Sequence, residues 1–413
     1  MKKVFVPFAI IVSLLVLFNN CGGFQGKTNG VSSFNFRGAA NAIPVNVTQW
    51  QLPLVSVTIC VPNTKNCQTI DNILLDTGST GLRISTAALN LSLTPMADSS
   101  GHNYAECYPF LDGTGYWGQV SAADVTLGQL TAKGLRVQLV NPNFASVPAS
   151  CSDSGSFRMI DPVTEYGFNG TMGVSPYELD CVTGGNCTPT SSSVVYYTCA
   201  GTTCTTATVP ASVQLQNPIS SMPTDNNGYF LQLPSVPDQG SATVAGALVM
   251  GIGTRANNAP PAGVTSLPYD ANGMFSTTFA GSTLPFSFID SGSSDMMFPP
   301  PTAPSITVCD LDPGGTAQIW YCPATTLQLS ATLKSGTNQV GVTFRLVNAQ
   351  TVNNSSNLAF DDIADPGETS VGGTSSSAQI FDWGIPFFYG RTIYYGMEGS
   401  SVTNFGQGPL VGF

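Results

Sequence analysis

The segment NILLDTGSTGLRI, Asn72 to Ile84, runs an apolar strand into Asp-Thr-Gly-Ser and out into a second apolar strand. The same plan returns in FSFIDSGSSDMMF, Phe286 to Phe298, where Asp-Ser-Gly-Ser separates two apolar stretches. A carboxylate at a strand end followed by Thr/Ser-Gly-Ser has a physical logic. Glycine lets the backbone turn tightly and brings its N–H close to the carboxylate, while the hydroxyls hydrogen-bond and hold the loop still. One copy of such a loop is an ordinary turn. Two copies, each behind an apolar strand and far apart in the chain, point to a duplicated half and to a site that needs Asp76 and Asp290 together.

The surroundings of both loops are turn-rich and β-rich. Short Val/Ile/Leu/Thr/Phe segments, such as Val55 to Ile59, Ile73 to Leu75 and Gln119 to Leu127, alternate with Gly, Pro, Asn, Asp and Ser clusters, which is the pattern of an all-β protein. With 43 Gly and 29 Pro in 413 residues, long helices are not expected. The length allows two cores, one around each loop. We expect an N-terminal lobe over 43–236 and a C-terminal lobe over 237–413, with the Pro-, Asp-, Gly- and Ser-rich stretch Pro234 to Ser241 as the crossing point. Charged residues are only 9% of the chain and the net charge is −11. The summed field repels phosphate backbones and anionic lipid surfaces, so nucleic acid is not an expected partner.

The N-terminus reads Met1-Lys2-Lys3, an apolar run from Val4 to Phe18, then Asn19-Asn20-Cys21. A basic start before a short apolar run predicts a signal peptide over 1–20 rather than a membrane span, which needs about 20 apolar residues. Cys21 resembles the lipidated cysteine of bacterial lipoproteins, with Phe18 and Asn20 as departures from that pattern. The alternative is simple cleavage, with Cys21 in another role. Residues 21–42 then read as a tether, and the expected location is lipid-anchored at the outer membrane or in the periplasm or on the cell surface. The other ten cysteines suit disulfides in an oxidising compartment. Pairing of sequence neighbours closes the shortest loops: Cys60 with Cys67, Cys107 with Cys151, Cys181 with Cys187, Cys199 with Cys204, and Cys309 with Cys322. Ten cysteines allow many other connectivities. No Cys-x-x-Cys pair occurs and His102 is the single histidine, so no metal site is expected.

The loops DTGS (Asp76 to Ser79) and DSGSS (Asp290 to Ser294) resemble the catalytic loops of pepsin-like aspartic proteases. Further segments resemble that family in the same order. DGTGYWGQVSAADVTLG (Asp112 to Gly128) is similar to the flap hairpin and following strand, and GFNGTMGV (Gly167 to Val174) to a first-lobe segment. ATVAGALVMGIGT (Ala242 to Thr254) is similar to the opening of the second lobe, and GIPFFYGRTIYYG (Gly384 to Gly396) to a segment near the C-terminus. More closely, NILLDTGSTGLRI and FDWGIPFFYGRT resemble a bacterial branch known as a domain family of unknown function. The resemblance implies a bilobal fold with a cleft, and peptide hydrolysis by water activated between Asp76 and Asp290. No cofactor is implied, and the expected partner is a peptide or protein substrate of a monomeric enzyme. It also implies that Thr77 and Ser291 brace the two loops, that Gly78 and Gly292 offer N–H groups, and that Ser79 and Ser293 support the carboxylates.

The flap stretch Asp112, Gly113, Thr114, Gly115, Tyr116, Trp117 departs from the family. Asp112 stands where the pattern has Tyr, and Arg83 where it has the Trp that partners that Tyr. An Arg83–Asp112 ion pair is one expected substitute, with Phe110, Tyr116 or Trp117 covering the cleft. These departures keep a second reading open, a catalytically silent fold used as a surface peptide-binding module. Asp361, Asp362, Asp365 and Glu368 read as a solvated acidic loop ahead of a Ca²⁺ site. His102 reads as a surface residue. The aromatic run Trp383, Phe387, Phe388, Tyr389, Tyr394 and Tyr395 reads as core rather than a ligand platform. Two carboxylates also serve glycoside hydrolysis, but that reaction has no need of the Thr/Ser-Gly loops.

Overall fold

The computed structural model describes residues 36, 38–152, 155–181, 183–190, 194–270, 273–312, 318–367, 379–402 and 405–413. The expected signal peptide, Cys21 and Glu368 lie outside the described residues. Strands make up 47% of the structure and helices 4%, so the chain is all-β, and Ser33–Phe413 group as one unit by their backbone contacts. Among the described residues no helix is long and apolar enough to cross a membrane.

Two barrel-like sheets carry the architecture, one of 16 strands and one of 7. In the larger, strand Ala42–Gln49 alternates buried Ile43, Val45 and Val47 with outward residues, as a sheet with one covered face demands. It pairs on one side with Leu52–Cys60 and on the other with Val244–Met250, which lies beside Gly228–Gln232. The expected boundary at 236/237 falls in the connection between these last two strands. The larger sheet therefore draws on residues from both sides of it.

Each aspartate loop sits in the same three-strand arrangement. Cys67–Asp76 enters the first loop and Thr80–Ser85 leaves it. Gly170–Val174 lies between them, parallel to the first with Asp76 opposite Gly173, and antiparallel to the second with Arg83 opposite Thr171. Ser282–Ile289 enters the second loop and Met296–Met297 leaves it. Here Ile380–Trp383 lies between, parallel to the first with Ile289 opposite Trp383, and antiparallel to the second with Met297 opposite Asp382. The internal repeat seen in the sequence is thus a repeat of topology, and Thr171 and Asp382 occupy equivalent places, opposite Leu74 and Phe288 respectively.

The aromatic run is core. Trp383, Phe387, Phe388, Tyr389, Tyr394 and Tyr395 are all buried. Phe381 stacks on Trp383 at 4.2 Å between centroids, with Phe298 and Phe344 packed around them. Tyr395 stacks on Tyr229 at 4.9 Å, which aims its hydroxyl toward the aspartate loops.

All five neighbour pairings of the cysteines are present: Cys60–Cys67, Cys107–Cys151, Cys181–Cys187, Cys199–Cys204 and Cys309–Cys322. Their loops differ in length, from 44 residues for Cys107–Cys151 to 5 for Cys199–Cys204. In the chain-entropy account a longer closed loop removes more freedom from the unfolded chain. The double substitution Cys107→Ala/Cys151→Ala should therefore destabilise by about 2 kcal/mol more than Cys199→Ala/Cys204→Ala. Urea unfolding of the two variants measures this, and equal midpoints would contradict it.

Candidate active site

The strand Cys67–Asp76 is exposed at its start and buried over its last four residues, so it delivers Asp76 into the interior. Asp76 is 6% exposed. Its Oδ1 accepts from the N–H of Gly78 (2.8 Å) and of Ser79 (3.1 Å), and its Oδ2 from the Ser79 hydroxyl (2.5 Å). Asp290 is half-buried, and its Oδ1 accepts from the Gly292 N–H at 2.7 Å. The two carboxyl groups are brought together beside Gly292, where one added Cβ would lie 2.8 Å from Asp76 Oδ1 and 3.2 Å from Asp290 Oδ1. Each loop glycine packs against the carboxylate of the opposite loop. A Cβ on Gly78 would lie 2.5 Å from Asp290 Oδ2, and one on Gly292 would lie 2.8 Å from Asp76 Oδ1, so any side chain there would drive the pair apart.

The loops are locked together by exchanged hydrogen bonds. The Thr77 N–H donates to Ser291 Oγ (3.2 Å) and the Ser291 N–H donates to Thr77 Oγ1 (2.9 Å). The Ser291 hydroxyl continues to Leu75 O at 2.7 Å, and that of Thr77 to Ile289 O at 3.3 Å. Tyr395 adds a third tie, its hydroxyl 3.0 Å from Ile289 O and 3.1 Å from Thr77 Oγ1. Sequence reasoning found Thr77 and Ser291 but missed Tyr395, which looked like one more core aromatic.

Contact between like charges in a buried place has a chemical consequence. Burial, then the neighbouring Asp76 and Asp382, push the Asp290 carboxyl well above the usual carboxylate range, against the pull of the Gly292 N–H. Asp76 accepts three hydrogen bonds within its own loop, whereas Asp290 accepts the Gly292 N–H and, at 3.2 Å, the Ser293 hydroxyl; the surroundings of Asp290 favour its protonated form.

A family model described as Protein of unknown function (DUF3443) matches residues 38–413, which takes in both loops, their threading strands and Tyr395. The chain belongs to this family. Among curated proteins nothing matches it. For a DUF3443 chain, then, the chemistry has to be argued from the residues.

The hairpin expected over the pair is built from Asn103–Pro109 and Thr114–Leu127. Two expectations about it are overturned. Arg83 does not meet Asp112. It lies on a strand whose six residues are all buried, and its Nη2 reaches Glu106 at 2.6 Å and Asp180 at 3.3 Å, while its guanidinium lies 3.7 Å from the centre of the Tyr108 ring. Asp112 is at the exposed turn, where it accepts from Thr114 N–H (2.9 Å) and the Tyr166 hydroxyl (2.6 Å). Nor are Tyr116 and Trp117 free to cover a cleft. Both are buried, with Tyr116 hydroxyl bonded to Thr171 Oγ1 (3.0 Å) and the Trp117 indole N–H donating to Ala145 O (3.2 Å). Phe110 is half-buried and packs between Tyr108 and Tyr116. Gly113 turns the chain at φ 78° and Gly115 continues the strand.

The acidic run is not a solvated loop. Asp362 is 1% exposed and accepts from Arg345 Nη2 at 2.5 Å, because the strand Asn338–Leu346 brings Arg345 alongside it. Burial, then the Asp362 charge, push Asp361 up to about 6. Among the described residues no group of three or more His, Cys, Asp or Glu could hold a metal ion. His102 is at the surface, its Nδ1 3.3 Å from Asp98. Glu106, Asp180 and Asp382 were missed in the sequence. The signal for Asp382 was present, a lone acid between Phe381 and Trp383 in an otherwise apolar strand.

Burial pushes Asp180 well up, Glu106 adds to this, and Arg83 opposes it. Replacing Arg83 by Met leaves these acids buried without their cation, which should destabilise the protein by about 3–5 kcal/mol near neutral pH. A carboxyl raised in the folded state contributes its full stability below its unfolded value, about 4, and loses it as the pH rises. The deficit of Arg83→Met should therefore be smaller near pH 4 than near pH 7 in denaturant unfolding. A deficit independent of pH would show that the Arg83 charge is not what the site needs.

Proposed function

We propose that this protein is an aspartic endopeptidase of pepsin-like, bilobal fold, acting outside the cytoplasm. The observation that carries the reading is the Asp76–Asp290 contact, held by two equivalent loops that exchange hydrogen bonds. In this mechanism ionised Asp76 takes a proton from a water molecule as the water oxygen bonds to the peptide carbonyl carbon. Protonated Asp290 donates to the carbonyl oxygen, which bears the developing charge. Collapse of the tetrahedral species breaks the C–N bond, and the proton gained by Asp76 goes to the leaving amine. The five disulfides fit an oxidising compartment, and lipidation at Cys21 would hold the enzyme at a membrane surface.

The tied-down hairpin favours a second reading, a peptide-binding module without turnover. Asp112 is engaged by Tyr166 and Thr114, and Tyr108 is stacked on a buried arginine.

Incubating the exported chain with a peptide library between acidic and neutral pH separates the two. Asp76→Asn and Asp290→Asn each remove a group that must cycle between ionised and protonated forms while keeping its shape. Each should lower cleavage by orders of magnitude. Neither should lower the melting temperature, since a neutral amide relieves the repulsion of the buried pair. A parent that cleaves nothing but binds peptides would support the module. Equal residual cleavage by parent and both variants would mean contamination and end the protease reading.

A further inference from the structure

The second loop departs from the first at one place. Ser79 and Ser293 occupy the same position after their aspartates. Ser79 donates to its own Asp76 at 2.5 Å. Ser293 leans away from its own aspartate: its Oγ is 2.5 Å from Asp382 Oδ2 and 3.2 Å from Asp290 Oδ2. Asp382 is 2% exposed, its Oδ1 is buried without a hydrogen-bond partner, and among the described residues it forms no ion pair. The equivalent place in the first half holds neutral Thr171, so the strand arrangement itself does not require an acid there. A buried, half-satisfied carboxyl joined to Asp290 through one hydroxyl, that of Ser293, needs a reason other than packing.

Ser293 has one proton and two carboxylate neighbours. When it donates to Asp382, its lone pair faces Asp290 Oδ2, and the proton between those two oxygens must come from Asp290. In the reverse arrangement Asp382 donates to Ser293 and Ser293 donates to Asp290. The two differ by a shift of two protons: the O–H of Asp290 breaks as a new O–H forms on Ser293, and the former Ser293 proton passes to Asp382. No bond other than these O–H bonds changes and the charge is conserved.

We propose that Asp382 is a positioning residue that shares protons with the Asp76–Asp290 pair through Ser293, and that its ionisation keeps the proton on Asp290. The groups facing it are all acids or hydroxyls: Ser293 and Asp290 from the second loop, Asp76 from the first, Asp295 ahead of Met296–Met297, and Asp365 on Ala364–Asp365. Burial pushes Asp382 well up, the Ser293 hydrogen bond opposes this, and Asp365 and Asp76 add to it. Rising pH therefore withdraws the proton from a three-carboxylate unit, and the pair holds its single proton to higher pH than two carboxylates alone would.

This rests on the proton-transfer role proposed above for the pair, but its test is read without turnover. The exported chain labelled with ¹³C at aspartate carboxyls is titrated by NMR, with Asp290→Asn assigning the signal. Asp382→Asn should lower the upper titration step of the pair by about one pH unit, since it removes a like charge and frees Ser293 to donate to ionised Asp290. In a Ser293→Ala background the same substitution should move that step much less. An upper step that stays in place or rises in Asp382→Asn overturns the proposal, and equal shifts in both backgrounds overturn the role of Ser293. If Asp382→Asn fails to fold, Ser293→Ala decides alone: an unmoved Asp290 titration overturns the coupling. Should the parent cleave peptides, the basic limb of its pH profile moves down with the titration step. Should it cleave none, the protease reading fails while the titration still decides this one.

Discussion

Two carboxyl groups do not come together in a protein interior through any attraction of their own charges, so something else must hold them in contact. Here it is the exchange of backbone donors between loops, Thr77 N–H to Ser291 and Ser291 N–H to Thr77. Each of these buried N–H groups would otherwise lack a partner, at a penalty of about 1–3 kcal/mol. Separating the carboxyls would therefore break both bonds and orphan two donors. The hydroxyls pass the constraint onward to Leu75 O and Ile289 O, on the strands that carry the aspartates. Loop contact, strand position and carboxyl contact thus stand or fall together.

The halves share topology but not electrostatics. On the side of the hairpin the buried cation Arg83 is matched by Glu106, on the hairpin itself, and by Asp180. Around Asp290 the neighbours are further carboxyls. A field that is compensated on one side and acidic on the other makes the surroundings of the two carboxyls unequal, even though the loops around them are near copies.

The all-β character and the doubled aspartate loops were legible because both rest on local chemistry: short apolar segments between turn-forming clusters, and Gly between hydroxyls after a carboxylate. The cysteine pairing was legible for a related reason, since every bridge closes a loop between sequence neighbours. What escaped were partners fixed by the sheet rather than by the segment. Arg83 lies 23 residues from Glu106 and 97 from Asp180, and nothing in its own strand singles out either acid. Asp112 was chosen because it interrupts the hairpin motif, whereas register places Glu106, opposite Gly118, on the inner side. Asp362 read as solvated because its cation, Arg345, comes from a separate strand.

The threaded strand of each half also fixes when the site comes into being. Gly170–Val174 and Ile380–Trp383 each belong to a segment made long after the aspartate beside which they lie. Contacts of such separation form slowly, because loop closure must precede any gain from them. Tyr395 arrives later still. During synthesis the second carboxylate has neither its parallel neighbour nor its tyrosine tie until the ribosome has passed Tyr395. An emerging chain thus lacks the paired arrangement of the two loops until both threaded strands and Tyr395 have been made.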